Sequence, residues 1–178
     1  MMQKLAPALV AGSLMLASLP QCTNTVRASS TISGRCLNVQ LTIGLFGNPG
    51  GAASRVALIY RIHDLWEDSC TLRGYPGIEL LDRSFHSLPT HLTDGQRSLI
   101  GRVSERKVVL NSRRDAYFVV SYIDEPVGTK TCLRAPYLLI IPPGDRLPVV
   151  IFSRRNDSPS YFAPCGGDIA VSPVTAAV

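Results

Sequence analysis

From Leu37 onward the chain is a series of short apolar runs with a period of two, cut apart by glycine and proline, and no stretch sustains a helical period. Leu37, Val39, Leu41 and Ile43 alternate with Asn38, Gln40 and Thr42. Val56, Leu58, Tyr60 and Ile62 repeat the pattern with Arg55 and Arg61 on the opposite side. Each run therefore predicts a strand with one core face and one wet face. Further β-rich runs span Ile78 to Leu81, Lys107 to Leu110, Tyr117 to Tyr122, Tyr137 to Ile141, Val149 to Phe152 and Ile169 to Val174. The turn signals between them include Gly47-Asn48-Pro49-Gly50-Gly51, Gly74-Tyr75-Pro76-Gly77, Pro142-Pro143-Gly144-Asp145 and Gly166-Gly167. Seven to nine such strands predict an all-β fold, an antiparallel β-sandwich of immunoglobulin-like type. The stretches from Gly47 to Ser54 and from Leu88 to Arg102 read as its longest surface loops.

The chain has 178 residues, 46% hydrophobic and 17% charged, which suits one domain with a core of its own. Its first residues stand apart from that core. Lys4 gives a positive start and Leu5 to Leu19 is nearly all apolar before the chain turns polar at Gln21, Thr23 and Asn24. This is the plan of a signal peptide, too short for a membrane span. Val26-Arg27-Ala28 suits cleavage near residue 28, leaving a short linker over 29–35 and one sandwich domain over 36–178. A second route is cleavage at 21/22 with a lipid on Cys22. A lipoprotein signal wants an apolar residue three before the cysteine and small residues after it; Leu19 fits that pattern, whereas Pro20 and Gln21 do not. Only such an anchor would bring the chain to a membrane.

Either route removes Cys22 from the disulfide count. Cys36, Cys70, Cys132 and Cys165 remain, an even number that points to an oxidising compartment. Four cysteines allow three pairings, and the spacing does not choose among them. It lacks the close pairs of a zinc ribbon or a redox C-x-x-C, so these cysteines read as structural bridges.

The segment CTLRGYPGIELLD from Cys70 to Asp82, together with Cys36 and the ending PCGGDIAVSPV from Pro164 to Val174, closely resembles an exported bacterial domain-of-unknown-function family whose members are often lipoproteins. The resemblance covers about Cys36 to Val174. It implies an immunoglobulin-like sandwich with two sequential disulfides, Cys36 with Cys70 and Cys132 with Cys165, and no reaction. Each bridge would close a loop of about thirty-five residues and contribute on the order of 3–4 kcal/mol. Within the motif, Leu72 reads as an apolar contact. Gly74, Pro76 and Gly77 read as a tight turn where glycine takes positive φ, with the Tyr75 ring buried against it. The segment His63-Asp64-Leu65-Trp66-Glu67-Asp68 departs from the family, where an Asn-Gly type of turn is expected.

Searching for chemistry yields little. There is no G-x-S-x-G elbow, S-x-x-K, H-E-x-x-H, phosphate-binding glycine loop or calcium loop, so catalytic residues are not expected. His63 beside Asp64, Glu67 and Asp68, with His86 and His91 five residues apart, forms the one alternative metal set, for zinc or copper. The plainer expectation is three exposed loop histidines. Met1, Met2 and Met15 all lie in the leader, so the rest of the chain offers soft Cu(I) no thioether. The formal charge is +5, about +3 without Lys4 and Arg27, and the pairs Arg106-Lys107, Arg113-Arg114 and Arg154-Arg155 read as solvated strand ends. Nucleic acid is not an expected partner, since no aromatics interleave the basic residues. Trp66, four residues before Cys70, reads as packing in the core or at its rim. The functional expectation is an exported, non-enzymatic interaction domain of the envelope or exterior, without a cofactor, presenting loops to a partner there; the alternative is an accessory metal-binding protein.

Overall fold

The computed structural model describes residues 34–47, 54–94, 103–155, 158–159 and 161–177. The leader with Cys22, most of the Gly47 to Ser54 loop and residues 95–102 lie outside them. In chain order the elements are a 3-10 turn, η1 (Asn38–Gln40), then β1 (Leu41–Gly47), β2 (Arg55–Asp64), β3 (Cys70–Leu72), β4 (Gly77–Leu81), β5 (Ser87–Leu88), β6 (His91–Asp94), β7 (Val108–Leu110), β8 (Ala116–Ile123), β9 (Tyr137–Ile141), β10 (Val149–Phe152), β11 (Arg154–Arg155), β12 (Ser158–Pro159) and β13 (Asp168–Val171).

Two larger sheets have the orders β1-β2-β8-β13-β6 and β10-β9-β4-β5; β3 with β7, and β11 with β12, form small two-stranded ribbons. Among the described strands all pairings are antiparallel except β6 with β13. The inner faces of both larger sheets meet in one core. Leu58, Tyr60, Ile62, Phe118, Val120 and Ile169 come from one sheet, and Ile78, Leu80, Leu138 and Ile140 from the other. This is sandwich packing, consistent with the immunoglobulin-like expectation. Tyr60 and Phe118 stack at 5.3 Å between centroids, and burial, followed by the nearby Tyr122, drives the Tyr60 phenol well above its usual range. There are more strands than the seven to nine expected, because short ribbons such as β11–β12 carry no apolar run in the sequence.

Both disulfides form in the sequential pairing, Cys36–Cys70 and Cys132–Cys165. Cys70 lies on β3, so the first bridge ties the start of the domain to the β3–β7 ribbon and does not join the two larger sheets. In the signature, Leu72 and Pro76 are buried and Tyr75 packs, partly exposed, against the core. Gly74 has φ +107, as a turn glycine should, but Gly77 is the first residue of β4, where a Cβ would meet Ile141 Cβ at 3.3 Å. Its role is close strand packing. Gly167, in the second motif, has φ +77 and would place a Cβ 2.3 Å from the Pro89 carbonyl oxygen, so a glycine there allows β6 to lie beside β13.

Three expectations need correction. The alternation from Leu37 to Ile43 is not one strand: Leu41 and Ile43 are core, while Leu37 and Val39 are exposed and Gln40 is buried in η1 and its C-terminal turn. The Leu88 to Arg102 stretch contains β6. His63 is a half-buried strand residue of β2 and His91 lies in β6, so only His86 sits in a turn.

Candidate functional site

At one end of the sandwich three loops reverse the usual distribution of polar and apolar groups. They comprise residues 34–40, residues 64–69 after β2, and residues 142–148 between β9 and β10. The period of β2 puts Leu58, Tyr60 and Ile62 in the core, and the same parity carries Asp64 inward, where it is fully buried. Buried carboxyl oxygens need hydrogen bonds. Gln40 Nε2 donates to Asp64 Oδ1 and Oδ2 at 3.1 Å each, and the Trp66 N–H donates to Oδ1 at 3.0 Å. Oδ2 also lies 3.1 Å from Cys70 Sγ, a bridged sulfur with no proton to give. Gln40, itself buried, is held in turn: its Oε1 accepts from the Leu37 N–H at 3.2 Å, and its carbonyl accepts from the Leu65 N–H at 2.8 Å.

A second carboxylate braces the remaining loop. Asp145 Oδ2 accepts from the Asn38 N–H at 2.6 Å, and Oδ1 accepts from the N–H groups of Arg146 and Leu147. These bonds, led by Leu147 and followed by Arg146 and Asn38, hold the Asp145 carboxyl below its ordinary range. Asn38 Nδ2 bonds the Leu147 carbonyl, and Arg35 Nη1 bonds the Gly144 carbonyl at 2.9 Å.

With the polar side chains turned in, the apolar ones face water. Leu37, Val39, Leu65, Trp66 and Leu147 are all exposed, from 48% for Trp66 to 65% for Val39. Trp66 is thus a rim residue and not a core one. Exposed single apolar residues need no explanation, but five on adjoining loops above buried Gln40 and Asp64 form a surface with a preorganised support.

The other end of the four-stranded sheet carries a different cluster. Phe85 stacks on Tyr137 at 4.5 Å and 11°, and Phe152 meets Tyr137 edge-on at 5.0 Å. Beside them the guanidinium groups of Arg83 and Arg134 lie over the Tyr161 ring at 5.9 and 5.5 Å, and Arg83 Nη2 donates to the Tyr161 hydroxyl at 2.5 Å. A groove of about 340 Å³ runs along the five-stranded sheet past Arg55, Tyr122, Val127 and Ile169, where Lys130 and Asp168 are paired with each other.

The histidines do not converge. His63 Nδ1 bonds Asp115 Oδ1 at 2.7 Å, and His86 Nδ1 lies 3.5 Å from Asp82 Oδ2. Among the described residues no three His, Cys, Asp or Glu side chains gather as a metal set, and no serine, threonine or cysteine donates to an imidazole. Sequence reasoning missed Gln40, Leu65 and Asp145 as parts of a site, and took Asp64 only as a neighbour of His63 in the alternative metal set. The parity of β2 was the available signal for Asp64; nothing in the local sequence marks Gln40.

Fold and loops together define a disulfide-braced β-sandwich with an apolar, internally hydrogen-bonded end. Residues 36–175 match the family described as domain of unknown function DUF4232, and the chain belongs to that family. Neither the curated proteins nor the solved structures yield a match to the chain.

Proposed function

We propose that this protein is an exported, non-enzymatic interaction domain of the cell envelope or exterior, and that the loop end bearing Leu37, Val39, Leu65, Trp66 and Leu147 is its binding surface. The observation that carries this reading is the inversion at that end, where fully buried Asp64 and buried Gln40 sit beneath five exposed apolar side chains. Exposing such groups is unfavourable in water, by about 25 cal/mol for each Å² of apolar surface, so a partner that covers them gains what folding left unused. Two disulfides suit an oxidising extracytoplasmic compartment, and the apolar leader supports export to one. Among the described residues no helix is long and apolar enough to cross a membrane.

The test is a Leu37→Ser/Leu65→Ser/Leu147→Ser variant of the chain starting at Ser29, without leader or Cys22, compared with the same chain lacking the substitutions for the fraction that sediments with added envelope. Melting should be little changed, since all three side chains are already exposed, while the retained fraction falls roughly tenfold, the equivalent of about 1.4 kcal/mol. Unchanged retention would refute the assignment of this surface.

A further inference from the structure

The loop end is also the end at which the chain enters the domain. Gly34 and Arg35 belong to it: the Thr71 N–H donates to the Gly34 carbonyl, and Arg35 bonds the Gly144 carbonyl. Fourteen residues separate Gly34 from Leu19, the last residue of the apolar leader. Fully extended they span at most about 50 Å. An N-terminus held on a bilayer by a lipid on Cys22, which lies within that span, would therefore keep this end near the lipid.

The chemistry of the end fits that placement. A surface that enters lipid must satisfy its backbone polar groups internally, because hydrocarbon offers no partners. Here four of the five outward residues, Leu37, Leu65, Trp66 and Leu147, have their N–H groups bonded within the three loops, as do Asn38 and Gln40. The outward side chains are four aliphatic groups and one indole, and an indole favours the headgroup boundary. Carboxylates outnumber cations around this end, with Arg35 and Arg146 against exposed Glu67 and Asp68 and the bonded Asp145. Apolar insertion, and not attraction to anionic lipid, has to supply the contact.

We propose that the partner of this surface is the bilayer itself: the domain rests on the membrane with Leu37, Val39, Leu65, Trp66 and Leu147 dipped into its interfacial layer. The inference rests on the binding surface proposed above and specifies what it binds. Trp66 is the only tryptophan of the chain, so its emission reports on this end alone.

The chain lipidated at Cys22 is incorporated into phosphatidylcholine vesicles whose acyl chains carry bromine either near the carbonyl end or near the chain terminus. Trp66 emission should be roughly halved by the shallow quencher and much less by the deep one, as a residue buried to interfacial depth requires. Leu37→Ser/Leu65→Ser should abolish the quenching while the protein stays attached through the lipid on Cys22. Moving the reporter with Trp66→Phe/Phe85→Trp, to the far end of the four-stranded sheet, should leave emission unquenched. Equal quenching at both ends, or none at Trp66, overturns the inference. A photo-crosslinker at Leu65 in producing cells separates the two proposals. A protein adduct lost in the serine triple variant, with Trp66 unquenched, removes the bilayer and leaves the binding surface; no adduct and no quenching removes both.

Discussion

The two ends of the four-stranded sheet both carry large apolar side chains into water, but they support them by different means. At the loop end the support is polar and lies underneath: Asp64 and Asp145 collect N–H groups from three segments, and Cys36–Cys70 holds the first segment to β3. At the far end the support is the aromatic rings themselves, stacked Phe85–Tyr137–Phe152. A polar brace fixes backbone and leaves the apolar groups free for a partner. A ring stack covers part of its own surface, so it offers less to bind and more to hold the turn together.

The turn at that far end shows the contrast in its backbone. The Asp82 N–H donates to the His86 carbonyl and the Phe85 N–H to the Asp82 carbonyl, a three-residue hairpin whose last position is left-handed. Phe85 holds that position at φ +62, where glycine or asparagine is the ordinary occupant. Stacking on Tyr137 offsets the strain.

Removing the disulfides gives the largest expected effect and the sharpest break between regions. The two bridges have sequence separations of 34 and 33, so chain entropy assigns each about 4 kcal/mol. Cys36 and Cys70 are both buried, Cys70 against Asp64, whereas Cys132 is partly exposed. Cys36→Ala/Cys70→Ala should therefore cost a further ~1–2 kcal/mol beyond Cys132→Ala/Cys165→Ala in urea unfolding. Equal losses would show that the first bridge does not brace the loop end.

Next in size is the buried carboxyl. Asp64→Ala leaves the Gln40 amide and the Trp66 N–H without their acceptor, with an expected loss of about 3 kcal/mol. Asp64→Asn, which keeps one oxygen, should lose less. A loss under about 1 kcal/mol for alanine, the scale of an ordinary surface change, would mean that the loops stand without the network.

At the aromatic end, Phe85→Gly and Phe85→Ala both remove the ring, but only glycine relieves the left-handed backbone. The alanine variant should be the less stable of the two by about 1 kcal/mol, the reverse of the usual order. Thermal melts that rank alanine above glycine would show that the turn is unstrained.

The smallest effect is the acid response, and it is common to both ends. Asp145 is held below its ordinary pKa by the N–H groups of Leu147, Arg146 and Asn38, and Asp82 by those of His86 and Ser84, with His86 charge adding to the latter. A folded-state value below the unfolded one contributes stability that is present above the unfolded pKa and is lost as pH falls through the folded value. Melting temperature should therefore drop between about pH 5 and pH 2, and Asp145→Asn and Asp82→Asn should each flatten part of that drop. If neither does, the carboxylates do not set the loops' acid sensitivity.

Sequence alone determined the β class and most strand positions, because a period of two between glycine and proline turns is a local property of the backbone. Tyr137 to Ile141 and Val149 to Phe152 are strands with the limits read from the sequence. The disulfide pairing followed from family resemblance, since spacing leaves three options. Only the tertiary structure decided which way the side chains of residues 37–40 face. Alternation places Leu37 and Val39 inside, yet Asp64, carried into the core by the parity of β2, draws Gln40 in beside it. The η1 turn that satisfies Gln40 turns Leu37 and Val39 out to solvent. Periodicity describes one strand at a time, whereas a buried carboxyl requires donors from wherever the chain can bring them, here from a residue twenty-four positions away.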